Sequence, residues 1–528
     1  MNVLLGIDSG TSSTKGIACL ADGTVLAEAR AEHGISMPRP GHAEQDADGV
    51  WWHDLVEVAR RLVAALPAGS TIAGIGVSTA GPCLVPVDER DRALRPGILY
   101  GIDTRATAQI AALELRIGRR AIRRLSGSGL TSQSVGPKIA WLRDHEPDVA
   151  RRTACYLTAG GYLGLRLTGE SVIDHHQASY FAPFFDLGRG RWDLRHADGL
   201  VEEAQLPRIL WSDEIIGTVH TAAAAETGIP TGTPVVAGST DGIAEALGVG
   251  VVDPGDLAIT YGSSSVAMLV LDRPRSGANL WPSAGAFPGS AVLAGGGSTT
   301  GAVTAWFRRE LARELVQADA VTIGEAHATL LGEAARSSPG AHGLLLLPYF
   351  SGERSPIADD RARGVFAGLG LGHTRGDLYR AVLEATGFAL RHTIEALRAT
   401  NAPIRRAVAV GGGAASALLP RIVSDIVGIP QLIPAVRHGA AYGDAWLAGV
   451  GTGLIGDPAS PASRWVGPSA SVDPEPANAR RYDELYGLYR SLYRATAPTV
   501  HALVALDARS GDGGSEGAAA PAESGATT

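Results

Sequence analysis

Lysine is almost absent from this 528-residue chain: of 46 Lys plus Arg, only Lys15 and Lys138 are lysine, which makes both positions conspicuous. Cysteine is nearly as scarce. Cys19, Cys83 and Cys155 are odd in number and far apart, which argues against a disulfide framework or a cysteine-built zinc site and fits a reducing cytoplasm. Long apolar runs are missing too. The stretches poorest in charge, near Val235 to Gly250 and Ala284 to Trp306, are broken by Gly, Pro, Ser and Asp, so no membrane partner is expected. The opening Met1-Asn2-Val3-Leu4-Leu5-Gly6-Ile7-Asp8 lacks the basic start of a secretory leader and meets a carboxylate at once. Nor does positive charge dominate. The 54 Asp plus Glu leave a formal charge of −8, which disfavours nucleic acid as a partner. The densest basic stretch, Arg116, Arg119, Arg120, Arg123 and Arg124, has helical spacing and reads as a solvated helix face.

What is present suggests two domains, because a 528-residue chain with 45% hydrophobic residues outgrows one core. Val3 to Asp8 reads as a buried strand, Ser9 to Thr14 as a turn of small and hydroxyl residues, and Gly16 to Leu20 as the returning strand. Val25 to Ala31 follows as a third strand after an Asp-Gly turn. The same unit recurs: strand Asp256 to Tyr261, turn Gly262-Ser263-Ser264-Ser265, strand Val266 to Leu271. Its repetition predicts a duplicated domain, divided near Gly250 to Gly255 into residues 1–251 and 252–507. Helical patterns over Val50 to Leu66 and Asp377 to Ala399 alternate with strands at Ile72 to Val77 and Ala407 to Val410, so both halves read as α/β. From 508 to 528 the chain turns to Gly, Ala, Ser, Glu and Thr, and a disordered tail is expected.

A turn of backbone N–H groups and hydroxyls between two strands suits phosphate oxygens, and one such turn per domain could grip a single polyphosphate. A third candidate is Val410-Gly411-Gly412-Gly413, where glycine permits close approach of a nucleotide. Two carboxylates stand out by position. Asp8 ends the first strand directly before the phosphate-type turn, where it could hold hydrated Mg²⁺. Asp241 follows the strand Val235 to Ala237 at the expected start of a helix running to Leu247. The helix N-terminus favours its anion, which could deprotonate an attacking hydroxyl; a plain helix cap is the competing reading.

The segments "GIDSGTSSTK", "AGSTDGIAEALGVG", "LPYFSGERSP", "RGVFAGLGLGHTRGDLYRAVLEATGFAL" and "VGGGAAS" together resemble the FGGY family of carbohydrate kinases, in the right order from Val3 to Gly451. The stretch Gly364 to Glu384 matches the family's second signature without exception. The first signature, around Lys138 to Leu142, departs at Gln133 and Val135. The resemblance implies two ribonuclease-H-like domains of the actin-like ATPase fold, with ATP and sugar meeting in a central cleft. By similarity, Ser12, Ser13 and Lys15 face the terminal phosphates, Gly262 and Ser263 form the second phosphate loop, and Gly301, Gly412 and Gly413 line the nucleotide. Asp241 matches the family's catalytic base, and Asp8 its magnesium-side carboxylate; Asp241 also lies on the metal side.

Thr79 and Ala80 stand where glycerol kinases have Arg-Glu and xylulokinases have Met-His. Glycerol is therefore disfavoured, and the overall resemblance is closest to xylulokinases. Asp103 and Arg105 are candidates for sugar hydroxyl contacts, and His175-His176-Gln177 for another wall or for plain polar loop residues. These readings imply an ATP- and Mg²⁺-dependent kinase for a primary hydroxyl of a ketopentose, D-xylulose first, with another ketose or polyol as the alternative. A non-catalytic sugar-binding regulator is opposed by the presence of Asp8, Lys15 and Asp241. A serine hydrolase is opposed by Thr240 at the centre of Gly238-Ser239-Thr240-Asp241-Gly242. The assembly is left open, a homodimer included.

Overall fold

Residues alternate between two buried faces along β1 (Asn2–Ser9), and that alternation sets the layers of the first half. Val3, Leu5 and Ile7 enter one core with Trp51, Leu55, Val58 and Leu62, while Leu4 enters another with Ala441, Ala445 and Trp446. The computed structural model describes residues 1–262, 264–297, 299–317, 323–435, 438–460, 464–465 and 469–512. In it β1 pairs antiparallel with β2 (Ser13–Leu20), β2 with β3 (Val25–Glu32), and β1 runs parallel to β4 (Thr71–Thr79). Beyond β4 lie β6 (Pro234–Val236) and the edge strand β5 (Ile215–Thr218), and the short β7 (Ser239–Thr240) joins the end of β4.

The second half repeats this plan. β8 (Asp256–Tyr261), β9 (Ser265–Leu271) and β11 (Ala291–Gly297) form the antiparallel trio, and β12 (Arg406–Val410) runs parallel to β8. β10 (Trp281–Ala284) closes one edge, while β13 (Gln431–Pro434) and β14 (Ser469–Val472) extend the other. The duplication read from the two hairpins is thus present in both sheets.

Helix α1 (His53–Ala65) buries Leu55, Val58, Ala59 and Leu62, a stripe at helical spacing, against the first sheet. The remaining helices that matter here are α2 (Asp241–Gly248), α3 (Thr300–Leu311), α4 (Arg375–Arg398), α5 (Ala440–Gly451) and α6 (Pro476–Asp512). α5 lies in the second half of the sequence yet packs its backbone on the first sheet. A Cβ at Gly6 would fall 1.8 Å from the Ala441 carbonyl oxygen, and one at Gly76 would fall 2.1 Å from that of Asp444. α5 also crosses α2, where a Cβ at Gly443 would sit 1.8 Å from the Ala244 oxygen.

Two expectations change. The arginine stretch is not one helix face: helices Thr107–Ile117 and Arg119–Ser126 are broken at Gly118 (φ 87°), and Arg116 and Arg119 pair with Asp198 and Glu114 at 2.8 and 2.7 Å. The expected tail starts too early, because α6 carries helix through Asp512; residues 513–528 lie outside the described residues.

Candidate active site

The parallel strands β1, β4 and β7 end side by side, with Asp8 and Ser239 each in register with Ser78, and Thr240 with Thr79. Asp8 also faces Lys15 across the β1–β2 hairpin. Asp241 opens α2 at this edge, so three carboxyl-bearing and hydroxyl-bearing strand ends converge on one spot. Thr240 is the N-cap, so Asp241 is not a cap; among the described residues its carboxylate accepts only the Gly242 N–H, at 2.8 Å.

Burial governs the electrostatics. It lifts Asp241 to about 6 against the pull of the Gly242 N–H and of Lys15. Desolvation thus outweighs the favourable helix start, yet at about 6 Asp241 is still ionised at neutral pH. Burial, and then the neighbouring Asp241, lift Asp8 to about 8 and Glu245 to about 7. Beneath them the Ser78 hydroxyl lies 3.3 Å from Asp8 Oδ1 and 2.6 Å from Asp444 Oδ2. A hydroxyl has one proton to donate, so a second proton must sit on one of the two acids. Burial raises Asp444 well above its ordinary value, against the pull of the Ser78 hydroxyl. Lys15 forms no ion pair among the described residues, and its charge acts on Asp8, Asp241 and Glu245.

The first phosphate-type turn is closed by the Gly10 N–H on the Ser13 carbonyl at 3.1 Å, with Ser12 exposed and Ser13 buried. In the second, the Gly262 N–H donates to the Ser264 carbonyl at 3.1 Å; Ser263 lies outside the described residues. Gly262, Gly301, Gly412 and Gly413 converge on one cavity of about 260 Å³, together with Thr304 and Ser416. Lacking side chains, those four positions offer bare backbone as its wall.

The sugar-side candidates divide. Thr79 and Ala80 are buried at the end of β4, and Thr79 Oγ1 and Gln177 Oε1 have no hydrogen-bond partner among the described residues. Asp103 and Arg105, expected to contact sugar, are tied to each other and to neighbouring loops. Their side chains are fully buried, Arg105 binds Asp103 at 2.8–3.0 Å and Glu44 at 2.8 Å, and Asp103 accepts the Ala43 N–H at 2.7 Å. They hold the loop from behind. Lys138 does likewise, donating to the Leu99 and Tyr100 carbonyls at 2.6 and 3.3 Å, and burial lowers its ammonium to about 8. His176 is a core residue bonded to the Ala284 carbonyl (3.0 Å), and His175 stacks on Trp211 at 3.9 Å.

Sequence reasoning missed Ser78, Glu245, Asp444 and Arg354. Glu245 was findable, one helical turn after Asp241. Arg354 lies within the quoted "SGERSP"; it donates to the Gly297 carbonyl (3.1 Å), covers the Trp281 ring, and is close enough for its charge to act on Tyr100 of the first half.

Two copies of one α/β plan, joined through a shared core, with a carboxyl cluster on one and a glycine-walled cavity on the other, define a nucleotide-dependent phosphotransferase of the actin-like ATPase fold. The model of the N-terminal domain of the FGGY family of carbohydrate kinases matches residues 3–248, and that of its C-terminal domain residues 257–452. This chain belongs to the FGGY family of carbohydrate kinases and is an ATP-dependent sugar kinase. It is 29% identical over 511 residues to xylulose kinase of Lactococcus lactis subsp. lactis, covering 96% of this chain and 99% of that protein. It is 27% identical over 497 residues to gluconokinase of Bacillus subtilis, covering 93% and 95%. The crystal structure of xylulose kinase from Rhodospirillum rubrum superposes with a TM-score of 0.84 at 33% identity, covering 94% of this chain and all of that one. Among the described residues no helix is long and apolar enough to cross a membrane.

Proposed function

We propose that the protein transfers the terminal phosphoryl group of ATP to a primary hydroxyl of a ketopentose, with D-xylulose as substrate and D-xylulose 5-phosphate as product. The observation that carries this reading is Asp241, held at a helix start with its carboxyl near 6 and within reach of the Lys15 charge, in a chain whose second half carries the glycine-walled cavity. A base with that value is ionised at neutral pH yet still basic enough to take a hydroxyl proton as the bond to phosphorus forms. Residues 1–251 bind the sugar, with Thr79, Ala80 and Asp241 at its site. Residues 252–507 bind the nucleotide, with Gly301, Gly412 and Gly413 against it. Ser12, Ser13 and Lys15 from one turn, and Gly262 and Ser263 from the other, take the terminal phosphates.

Mg²⁺ fits this site, because carboxylate oxygens are hard donors, and Asp8, lifted to about 8 by burial and by the neighbouring Asp241, lacks the counter-charge that a cation would bring. Asp8 and Asp241 would hold it, and when bound it would offset charge on the phosphate oxygens. The choice of D-xylulose is supported by similarity to xylulose kinases along nearly the whole chain. D-gluconate is the second reading, favoured by the comparable match to gluconokinases. Coupled ADP release over D-xylulose, D-ribulose, erythritol, glycerol and D-gluconate separates them. The highest kcat/KM should fall on D-xylulose. A best substrate elsewhere, at about 10⁴ M⁻¹s⁻¹ or above, overturns the substrate and leaves the kinase.

A further inference from the structure

The first phosphate-type turn has its carbonyls tied down one after another. The His33 ring, through Nε2, binds the Gly10 carbonyl at 3.0 Å; the Gln45 amide, through Nε2, donates to the Thr11 carbonyl at 3.0 Å; and the His33 backbone N–H donates to the Ser12 carbonyl at 3.0 Å. Each tie is itself held. Asp54 Oδ2 sits 2.8 Å from His33 Nδ1, and the Trp51 indole N–H donates to Gln45 Oε1 at 2.9 Å. All of this is buried: the His33 and Asp54 side chains are 5% and 7% exposed, and Gln45 and Trp51 are 3% and 1%.

Across a planar trans peptide the carbonyl of one residue and the N–H of the next point in opposite directions. Fixing the carbonyls of Gly10, Thr11 and Ser12 inward therefore turns the N–H groups of Thr11, Ser12 and Ser13 outward, to the side where Ser12 is exposed. Three successive N–H groups facing one way make an anion-binding concavity. None of the residues supplying the ties lies in the turn: His33, Gln45 and Trp51 precede α1, and Asp54 lies in its first turn. We propose that His33, Asp54, Gln45 and Trp51 are positioning residues: a buried brace that presets this turn for the terminal phosphates of the nucleotide. The inference rests on the reading of the turn as a phosphate site and extends it to residues that touch no substrate.

The test is calorimetric binding of a non-hydrolysable ATP analogue and of AMP to the full-length protein. Gln45→Met keeps the side-chain length and removes the donor, His33→Leu removes the ring's bond to Gly10, and Trp51→Phe removes only the indole donor. The wild type should bind the ATP analogue more tightly than AMP. Gln45→Met and His33→Leu should weaken the analogue about tenfold, the scale of one lost hydrogen bond, and leave AMP unchanged. Trp51→Phe, the mildest change, should give a smaller loss of the same kind and serves as the readout if the other two fail to fold. Equal weakening of analogue and AMP, or none, contradicts the brace. A wild type that gains nothing from the terminal phosphates contradicts the phosphate site itself, and the brace with it.

Discussion

Asp241 and Asp8 share an edge of one sheet, and their pKa values separate their roles. Asp241 at about 6 must be ionised to accept a proton, so kcat/KM should be full above that value and fall about tenfold per pH unit below it. A pH–rate profile that stays level from pH 7 to 5 contradicts Asp241 as base. Asp8 bears on stability. Its folded value is raised to about 8, so the folded state holds a proton that the unfolded chain has already released. The stability it contributes is complete below the ordinary aspartate range and is lost as pH rises through about 8. The melting temperature of the ligand-free protein should therefore fall between pH 6 and 9, and Asp8→Asn should flatten that slope; an unchanged slope contradicts the protonated Asp8. Asp8, Lys15 and Asp241 were legible in the sequence because each stands beside its turn. Asp444 was not, because its contact with Ser78 spans 366 residues and only the packing of α5 brings them together.

Elements explain why that packing is specific. α5 reaches the first sheet only because Gly6 and Gly76 leave its backbone room, and Asp444 arrives under Asp8 as a consequence. Gly76→Val should cost about 3 kcal/mol or more, at the upper end of ordinary overpacking, because the obstacle is helix backbone and cannot rotate away. Chemical denaturation measures it, and a loss below about 1 kcal/mol contradicts backbone contact as the constraint. Besides placing Leu383 on the wall of the glycine-lined cavity, the most specific sequence match, Gly364 to Glu384, supplies structural contacts. Within it, Asp377 accepts the Thr374 N–H in a capping box at the start of α4, and Glu384 accepts from Arg380, Tyr482 and the Gly340 N–H. Strand and helix positions followed from periodicity, so β1, β8 and α4 were readable almost to the residue. The burial of the Asp103–Arg105 pair was not legible, because a polar pair near a site reads the same in sequence whether it faces substrate or braces a loop.

At the scale of the molecule, the two halves share a core in which Leu4 and Ile17 of the first sheet meet Val292 and Ala294 of the second, with α5 between them. The halves are joined at this base and carry their turns at the cleft. Engaging one nucleotide from both sides requires the cleft to narrow. Small-angle scattering should show a smaller radius of gyration with D-xylulose plus a non-hydrolysable ATP analogue than with neither, and an unchanged radius contradicts closure. The proposed base step is the passage of the sugar hydroxyl's proton to Asp241 as ATP is split. It is tested most directly by ADP release from saturating MgATP and D-xylulose with Asp241→Asn beside the wild type, sugar binding being checked by calorimetry. Asp241→Asn should lower kcat by at least about a hundredfold, the lower end for a positioned base, with sugar still bound. Turnover near that of the wild type would contradict it.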